Sequence, residues 1–429
     1  MRYIIIGGSA AGVSAIEAIR SLDRTSQIEL FTDEELPLYS RVLLTYYIAD
    51  VIPKEDLHFR PLEFFKENTV TPHLGTRVKT VSPDSKSIQT EDGKNHTFEK
   101  LLIATGSSPK TLDIPGVDKE GVYGLRNMEH AQKIISRSEK TEVVCILGGG
   151  LIGLRDGYAL AARGLKVKMI VKSNRVLSQM LDEESSTIVQ ERLQEHGIEI
   201  RIGRDAVEIL GKGSVEGIVL DNGEKIGCQM VIVGKGVDPN VGLVSSTSIE
   251  VREGIVADEY MRTSIPDIYV AGDVAETYDI SQGKMAINAI WPCAFEQGRI
   301  AGLNMAGQKA KYVGSFRMNS LDIYGLPAVS MGITRPDGDG LQEIKRRTRD
   351  TYRKLVMEDG RIVGAILVGE IQKAGLLSTL LRKKVNVTEY VPLLMSDRVN
   401  FADLLPLMRK NAEKFTEIEY RELFASTSQ

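Results

Sequence analysis

Twice along this 429-residue chain an apolar strand runs straight into a glycine loop that opens a helix. The first instance begins almost at once. Tyr3-Ile4-Ile5-Ile6 leads into Gly7-Gly8-Ser9-Ala10-Ala11-Gly12, after which Val13, Ile16 and Ile19 recur at helical spacing. A strand–turn–helix of this kind sets free N–H groups and the positive end of the helix dipole against a pyrophosphate. Gly7 makes the turn, and Gly12 permits close packing of helix on strand. Ser9 stands where the backbone approaches the phosphate, in place of the usual second glycine. The second instance is Val143-Val144-Cys145-Ile146-Leu147 followed by Gly148-Gly149-Gly150-Leu151-Ile152-Gly153, a full GxGxxG. It predicts a helix over 154–163 and a strand over 167–171.

The two halves repeat more than the loops. Short strands with turns at Pro83-Asp84 and Asp92-Gly93 predict an antiparallel meander over 78–98, and Leu101-Leu102-Ile103 then ends at Ala104-Thr105-Gly106. A second meander over 207–228 turns at Asn222-Gly223, and the strand 230–233 ends at Gly234-Lys235-Gly236. One glycine loop is weak evidence, but the same ordered set occurring twice is strong. It implies two dinucleotide sites, hence two nucleotides that exchange something. An acidic side chain about 20 residues beyond the loop suits a ribose hydroxyl pair, which makes Asp33 or Glu34 the candidate, with a solvated turn as the alternative for each. Further on, Ile268-Tyr269-Val270 ends at Ala271-Gly272-Asp273, and Trp291-Pro292 opens a helix running through Arg299. Beyond about residue 315 this logic stops. Strands over 351–356 and 362–368, joined at Asp359-Gly360, precede Leu-rich helical segments. The predicted fold is α/β, with two Rossmann-like dinucleotide-binding domains and a smaller α+β C-terminal domain over 315–429.

Bulk properties narrow the function. A net charge of −4 gives no reason to expect nucleic acid or an anionic membrane as partner. No apolar run is long enough to span a bilayer, and nothing resembling a leader precedes the first strand, so a cytoplasmic location is expected. Cys145 and Cys228 lie in apolar strands and Cys293 at a helix start, with no CxxC spacing, so no iron–sulfur cluster, zinc site or redox dithiol is expected. The five histidines are scattered, and no metal site is expected from them.

Together these motifs resemble the FAD-dependent pyridine nucleotide-disulfide oxidoreductases. The resemblance covers about 1–310 as an ordered set and the C-terminal domain more loosely. It implies an FAD-binding domain over 1–110 and 241–314, an NAD(P)-binding domain over 111–240, and a C-terminal interface domain. It places FAD against Gly7, Ser9, Ala10, Ala11, Gly12, Asp33, Glu34, Ser40, Arg41, Val78, Ala104, Thr105, Gly106, Gly272, Asp273 and Trp291. It places NAD(H) or NADP(H) against Gly148, Gly150, Leu151, Ile152, Gly153, Arg155, Lys172 and Gly236. The segment 37–47 with 291–298 is similar to the branch containing rubredoxin reductases, NADH oxidases and the flavin portion of nitrite reductases. It is also similar to the flavin subunits that accompany carbon-monoxide dehydrogenases and aldehyde oxidoreductases.

Three departures from that pattern shape the expected chemistry. Val42 occupies the position of the branch's redox cysteine, ahead of the aromatic pair Tyr46-Tyr47, and valine forms neither a thiolate nor a disulfide. Leu151 and Arg155 replace the tyrosine and glutamate of the second loop. Val171-Lys172-Ser173 replaces an acidic strand end, and Lys172 with Arg175 would suit a 2′-phosphate, with a solvated turn as the alternative. The expectation is a flavin-dependent NAD(P)H oxidoreductase that passes electrons to a separate iron–sulfur or rubredoxin-like protein, as a lone chain or a subunit of a larger metalloenzyme. The alternatives are an NADH oxidase that yields peroxide and a structural flavoprotein subunit. The basic runs Lys345-Arg346-Arg347 and Arg382-Lys383-Lys384 are candidate docking charges, with solvated faces as the alternative.

Overall fold

The computed structural model describes residues 1–337, 340–397 and 399–417. Two compact units emerge. The first comprises Met1–Val176, Gly197–Asp279 and Gly283–Ser315; the second comprises Leu177–His196, Ile280–Gln282 and the residues from Phe316 onward.

The first unit holds two parallel five-stranded sheets. In one, the strands run Ile268–Val270, Lys100–Ile103, Arg2–Ile6, Gln27–Phe31 and Val70–His73, side by side and all parallel. In the other, the order is Glu199–Ile202, Lys166–Val171, Val143–Leu147, Met230–Val233 and Val122–Tyr123, again parallel. Strands covered on both faces must be apolar throughout, and Ile4, Ile5, Val144, Cys145, Ile146 and Leu147 are fully buried. Each sheet carries a three-stranded antiparallel meander, Val78–Ser82 with Ser87–Thr90 and Asn95–Thr97, and Ala206–Leu210 with Gly217–Leu220 and Lys225–Gly227. A two-stranded ribbon, Ser107–Pro109 against Val237–Pro239, joins the two halves.

Both loops form where backbone must approach backbone. A Cβ on Gly7, whose φ is +119°, would lie 2.1 Å from the Ala104 carbonyl oxygen, and one on Gly12 would lie 1.9 Å from that of Gly7. The second loop repeats the arrangement at Gly148 against Gly234 and at Gly153 against Gly148, each at 2.3 Å. The helix Ala10–Leu22 then packs on the helix Trp291–Met305 through two further glycines. A Cβ on Gly298 would meet the Ala11 oxygen at 2.1 Å, and one on Gly302 the Ala15 oxygen at 2.4 Å.

The second unit is built on a five-stranded antiparallel sheet ordered Met318–Ile323, Leu326–Gly332, Arg361–Val368, Tyr352–Glu358 and Gln342–Arg347. Leu355, Ala365, Leu377, Val385 and Leu394 form its core. The helix Glu183–Glu195 groups with this sheet, although it falls within the stretch 111–240 read from the sequence as nucleotide domain. Asp182 explains the attachment. Its carboxylate caps that helix by accepting from the Ser185 N–H at 3.1 Å, and it also takes the Tyr352 hydroxyl at 2.5 Å and the buried Lys354 ammonium at 3.2 Å. Lys354 is further paired with Glu343.

The basic runs are not free docking charges. Lys345 pairs with Glu343 at 2.7 Å, Arg346 holds Asp397 through two bonds of 2.8 Å, and Arg347 reaches Glu184 at 4.0 Å. Lys383 pairs with Glu417, and the Arg382 guanidinium lies 5.5 Å from the Phe316 ring centroid. Four of the six basic side chains in the two runs thus have acidic partners, three of them from distant segments and one, Glu343, from the same strand.

Two outcomes follow from this packing. Alanine normally gains about 1 kcal/mol over glycine inside a helix. At Gly298 the obstructing atom is backbone, so overpacking of about 1–3 kcal/mol should win, and Gly298→Ala should lower the melting temperature. A higher melting temperature would show that the two helices can part.

Asp156 lies on the inner face of the helix Leu151–Ala162, buried, with no hydrogen-bond partner for either carboxylate oxygen among the described residues. Burial pushes its pKa up to about 8, against a small opposing pull from Arg155. The folded chain therefore keeps a proton that the unfolded chain gives up near pH 4. Stability is lost as pH climbs between those values and levels off above about 8. Asp156→Asn removes the titration, so its stability advantage over wild type should widen from pH 5 to pH 8. A difference that stays constant in denaturant titrations over that range would contradict the assignment.

Candidate functional site

The first unit encloses a cavity of about 700 Å³ at the C-terminal end of the first sheet. That volume lies in the range of small-molecule and cofactor sites. Gly7, Ser9, Ala10 and Ala11 line it, so the N-terminus of the helix Ala10–Leu22 faces the space. Ser9 is the N-cap residue but its hydroxyl makes no cap hydrogen bond, which leaves the first-turn N–H groups to a ligand. These groups and the helix dipole favour an anion there.

The surrounding charges agree with that preference. Arg41, Arg77, Arg126 and Lys79 line the cavity. Arg41 is fixed by an ion pair with Glu34, whose other oxygen takes the Tyr39 hydroxyl. Arg41 also donates to the Arg126 carbonyl at 3.3 Å. Arg126 is anchored on the Ser108 hydroxyl and the Thr105 carbonyl; burial, and then Arg41 beside it, lower its pKa. An anion in the cavity would relieve that crowding of positive charge.

Asp33 lines the cavity and stands 3.9 Å from Arg77, whereas Glu34 is turned to Arg41 and Tyr39 and does not line it. Asp273 also lines the cavity. Lost hydration raises its pKa, and the hydrogen bond donated by the Ser107 hydroxyl at 2.9 Å opposes the rise. Gly272, with φ +85°, donates its N–H to Gln297 Oε1 at 2.8 Å. Gln297 in turn donates to Thr277 and Tyr312, both at 3.3 Å, so a buried amide fixes the backbone that presents Asp273.

Val78, Ala104, Thr105, Gly106 and Trp291 also line the cavity. Trp291 packs edge-on against Phe59 at 5.1 Å and begins a helix with proline in its first turn. Of the residues named from the sequence, Gly12, Ser40 and Glu34 of the FAD set and Gly148, Gly150, Gly153, Lys172 and Gly236 of the NAD(P) set lie outside the lining. Gly12 sits beneath the turn, and Ser40 is buried, donating its N–H to Leu57. Sequence reasoning passed over Arg126, Arg77 and Asn240. Asn240 receives the Ser108 hydroxyl on its side chain and the Thr105 hydroxyl on its carbonyl. These residues come from segments without a motif, and only the fold brings them to the cavity.

The second glycine loop contributes to the same cavity. Leu151, Ile152 and Arg155, in the first turns of the helix Leu151–Ala162, line it together with Val42. Gly148, Gly150 and Gly153 form the loop itself, and a Cβ on Gly150 would meet nothing within 4 Å, so the backbone there is open to an approaching group. Lys172 is mostly exposed and stands 3.4 Å from Asp205, which also takes Lys235. Gly236, with φ +100°, accepts from the Lys110 N–H through its carbonyl.

No thiol lines the cavity among the described residues. None of the three cysteines is in a disulfide, and all three are buried. Cys145 and Cys228 are hydrogen-bonded to each other inside the second sheet's core, a contact that with burial pushes the Cys145 thiol well above the ordinary range and lowers that of Cys228, and neither lines the cavity. Nor is any helix of the described residues long and apolar enough to cross a membrane.

A bare helix N-terminus, a cluster of basic side chains and the two carboxylates Asp33 and Asp273 around one cavity, with Leu151 and Arg155 of the second loop in its lining, are a donor and acceptor set that fits a dinucleotide. Comparison with known proteins agrees. Residues 1–298 match the family model of pyridine nucleotide-disulphide oxidoreductases, and residues 318–385 match the C-terminal domain of rubredoxin NAD+ reductase. The chain is 28% identical over 391 residues to a nitrite reductase [NAD(P)H] of Bacillus subtilis, covering 90% of this chain and 48% of that protein. It thus spans about half the length of that relative. It is 31% identical over 418 residues to an NADH oxidase of Methanocaldococcus jannaschii, covering 91% of this chain and 93% of the relative. Among solved structures it resembles a ferredoxin reductase from Rhodopseudomonas palustris, with TM-score 0.82, 25% identity, and coverage of 89% of this chain and 94% of the other. The chain belongs to the pyridine nucleotide-disulphide oxidoreductase family, whose cofactors are FAD and NAD(P)H.

Proposed function

We propose that the chain passes electrons between NAD(P)H and a separate iron–sulfur or rubredoxin-like protein by way of FAD. The observation that carries this reading is a cavity built for a dinucleotide with Val42, not a cysteine, at its redox position and no thiol in its lining. Bound FAD accepts a hydride as two electrons and releases electrons one at a time. The match to the rubredoxin reductase C-terminal domain and the likeness to a ferredoxin reductase support a one-electron protein partner. The nitrite reductase relative supports the variant in which the chain serves a larger metalloenzyme.

Each group in the chain then has a physical task. The N-terminus of the helix Ala10–Leu22, with Arg41 and Arg126, holds the FAD pyrophosphate. Asp33 holds the adenosine ribose, and Asp273 the ribityl–pyrophosphate region. Ala104, Thr105 and Gly106 lie against the ring system, and the N-terminus of the helix Trp291–Met305 favours negative charge on it. The loop from Gly148 to Gly153 receives NAD(P)H. Leu151 and Ile152 exclude water near the reacting face, and Arg155 meets a phosphate of the incoming nucleotide. Lys172 stands at the strand end in place of an acidic residue, and its exposed ammonium, together with Lys235, offsets the neighbouring Asp205, so both NADH and NADPH are accepted. Three reduced, buried cysteines are consistent with a cytoplasmic location.

The test is anaerobic reduction of rubredoxin and of a [2Fe–2S] ferredoxin by the FAD-loaded chain, driven by NADH or by NADPH, alongside dioxygen consumption in air. Both nucleotides should support reduction of at least one iron–sulfur protein, at rates well above oxidase turnover. Fast dioxygen reduction with no iron–sulfur protein reduced would select the oxidase reading. Failure of both nucleotides to bleach the bound flavin would select a structural role.

A further inference from the structure

Two of the histidines that look isolated in the sequence meet at one carboxylate. Glu29 lies in the strand Gln27–Phe31, His73 ends the neighbouring strand Val70–His73, and His96 lies in the meander strand Asn95–Thr97. Glu29 Oε2 stands 3.0 Å from His73 Nε2 and 3.3 Å from His96 Nδ1. One ligand atom from each of the three residues lies within 4.8 Å of the others. We propose that Glu29, His73 and His96 form a binding site for a divalent transition-metal ion of the zinc class, completed by solvent.

The spacing suits such an ion. Ligands held at about 2.0–2.1 Å in a tetrahedron sit about 3.3 Å apart, close to the separations around Glu29 Oε2. Two imidazoles with one carboxylate select a borderline cation such as Zn²⁺; Mg²⁺ and Ca²⁺ prefer oxygen-only shells. The supporting contacts are also present. Gln27 Nε2 donates to Glu29 Oε1 at 3.2 Å, which leaves Oε2 facing the imidazoles. Phe31 stacks on His73 at 4.2 Å and 3°, and meets His96 edge-on at 4.8 Å, which fixes both ring planes. The Glu29 side chain is only 9% exposed, while those of His73 and His96 are 27% and 21% exposed, enough to admit an ion and its water ligand.

Its place in the fold gives the ion a structural task. The His73 carbonyl accepts from the Thr32 N–H at 3.2 Å, and the Thr32 carbonyl accepts from the Thr76 N–H at 2.8 Å. Phe31, Thr32, Asp33 and Thr76 all line the cavity. A bound ion would therefore clamp two sheet strands and the meander directly behind the Asp33 end of the cavity.

The FAD-loaded chain, stripped with a chelator, would be dialysed against micromolar Zn²⁺, and its zinc content and melting temperature measured. Wild type should retain about one ion per chain and melt higher with zinc than without. The double variant His73→Ala/His96→Ala should lose the ion and the shift. Glu29→Gln, which keeps the shape of the side chain, should weaken zinc retention at least tenfold while flavin content stays unchanged. The proposal is overturned if wild type retains no zinc, which would leave a hydrogen-bonded cluster. It is equally overturned if both variants retain as much zinc as wild type.

Discussion

Backbone meeting backbone at the first glycine loop is the constraint on which the rest of the molecule depends. At Gly7, Gly12 and Gly298 an added Cβ would fall about 2 Å from a carbonyl oxygen, so four main-chain segments, the end of the strand Lys100–Ile103 among them, are locked together without side chains between them. The strand Arg2–Ile6, the helix Ala10–Leu22 and the helix Trp291–Met305 are thereby fixed at one point. The same packing that excludes side chains leaves the helix N-terminus bare toward the cavity. Close approach and anion binding are thus two consequences of one arrangement.

The cavity's electrostatics build outward from that bare terminus. Basic side chains line the cavity around it, together with the carboxylates Asp33 and Asp273. The arginines are held by neighbours instead of hanging free: Glu34 fixes Arg41, and Ser108 with Thr105 fixes Arg126. A preorganised site of this kind spends little ordering entropy when it binds. Val42 stands where the resemblance expects a thiol, and no cysteine lines the described cavity, so on the proposed reading a bound flavin carries the electrons without help from a disulfide.

What was legible in the sequence was local. A strand, a glycine loop and a helix lie within some twenty consecutive residues, so their pattern and its repetition could be read directly, as could proline in the first turn after Trp291. What was not legible came from residues far apart in the chain. Arg126 reaches the cavity from a segment with no motif. Glu34 looked as good a ribose ligand as Asp33 until the fold turned it onto Arg41 and Tyr39. The run Lys345-Arg346-Arg347 looked like free positive charge because its acids, Glu184, Glu343 and Asp397, lie mostly elsewhere in the chain. His73 and His96 looked ordinary because Glu29, which joins them, lies 44 and 67 residues away.

The central claim is that the bound flavin is the chain's sole redox centre toward NAD(P)H, and counting electrons tests it most directly. In an anaerobic titration of the FAD-loaded chain, complete bleaching should need about one equivalent of NADH or NADPH per flavin, because hydride transfer delivers two electrons to one acceptor. A variant with Cys145, Cys228 and Cys293 replaced by serine should give the same end point. An end point near two equivalents in wild type that falls to one in the cysteine-free variant would reveal a thiol centre and contradict the account.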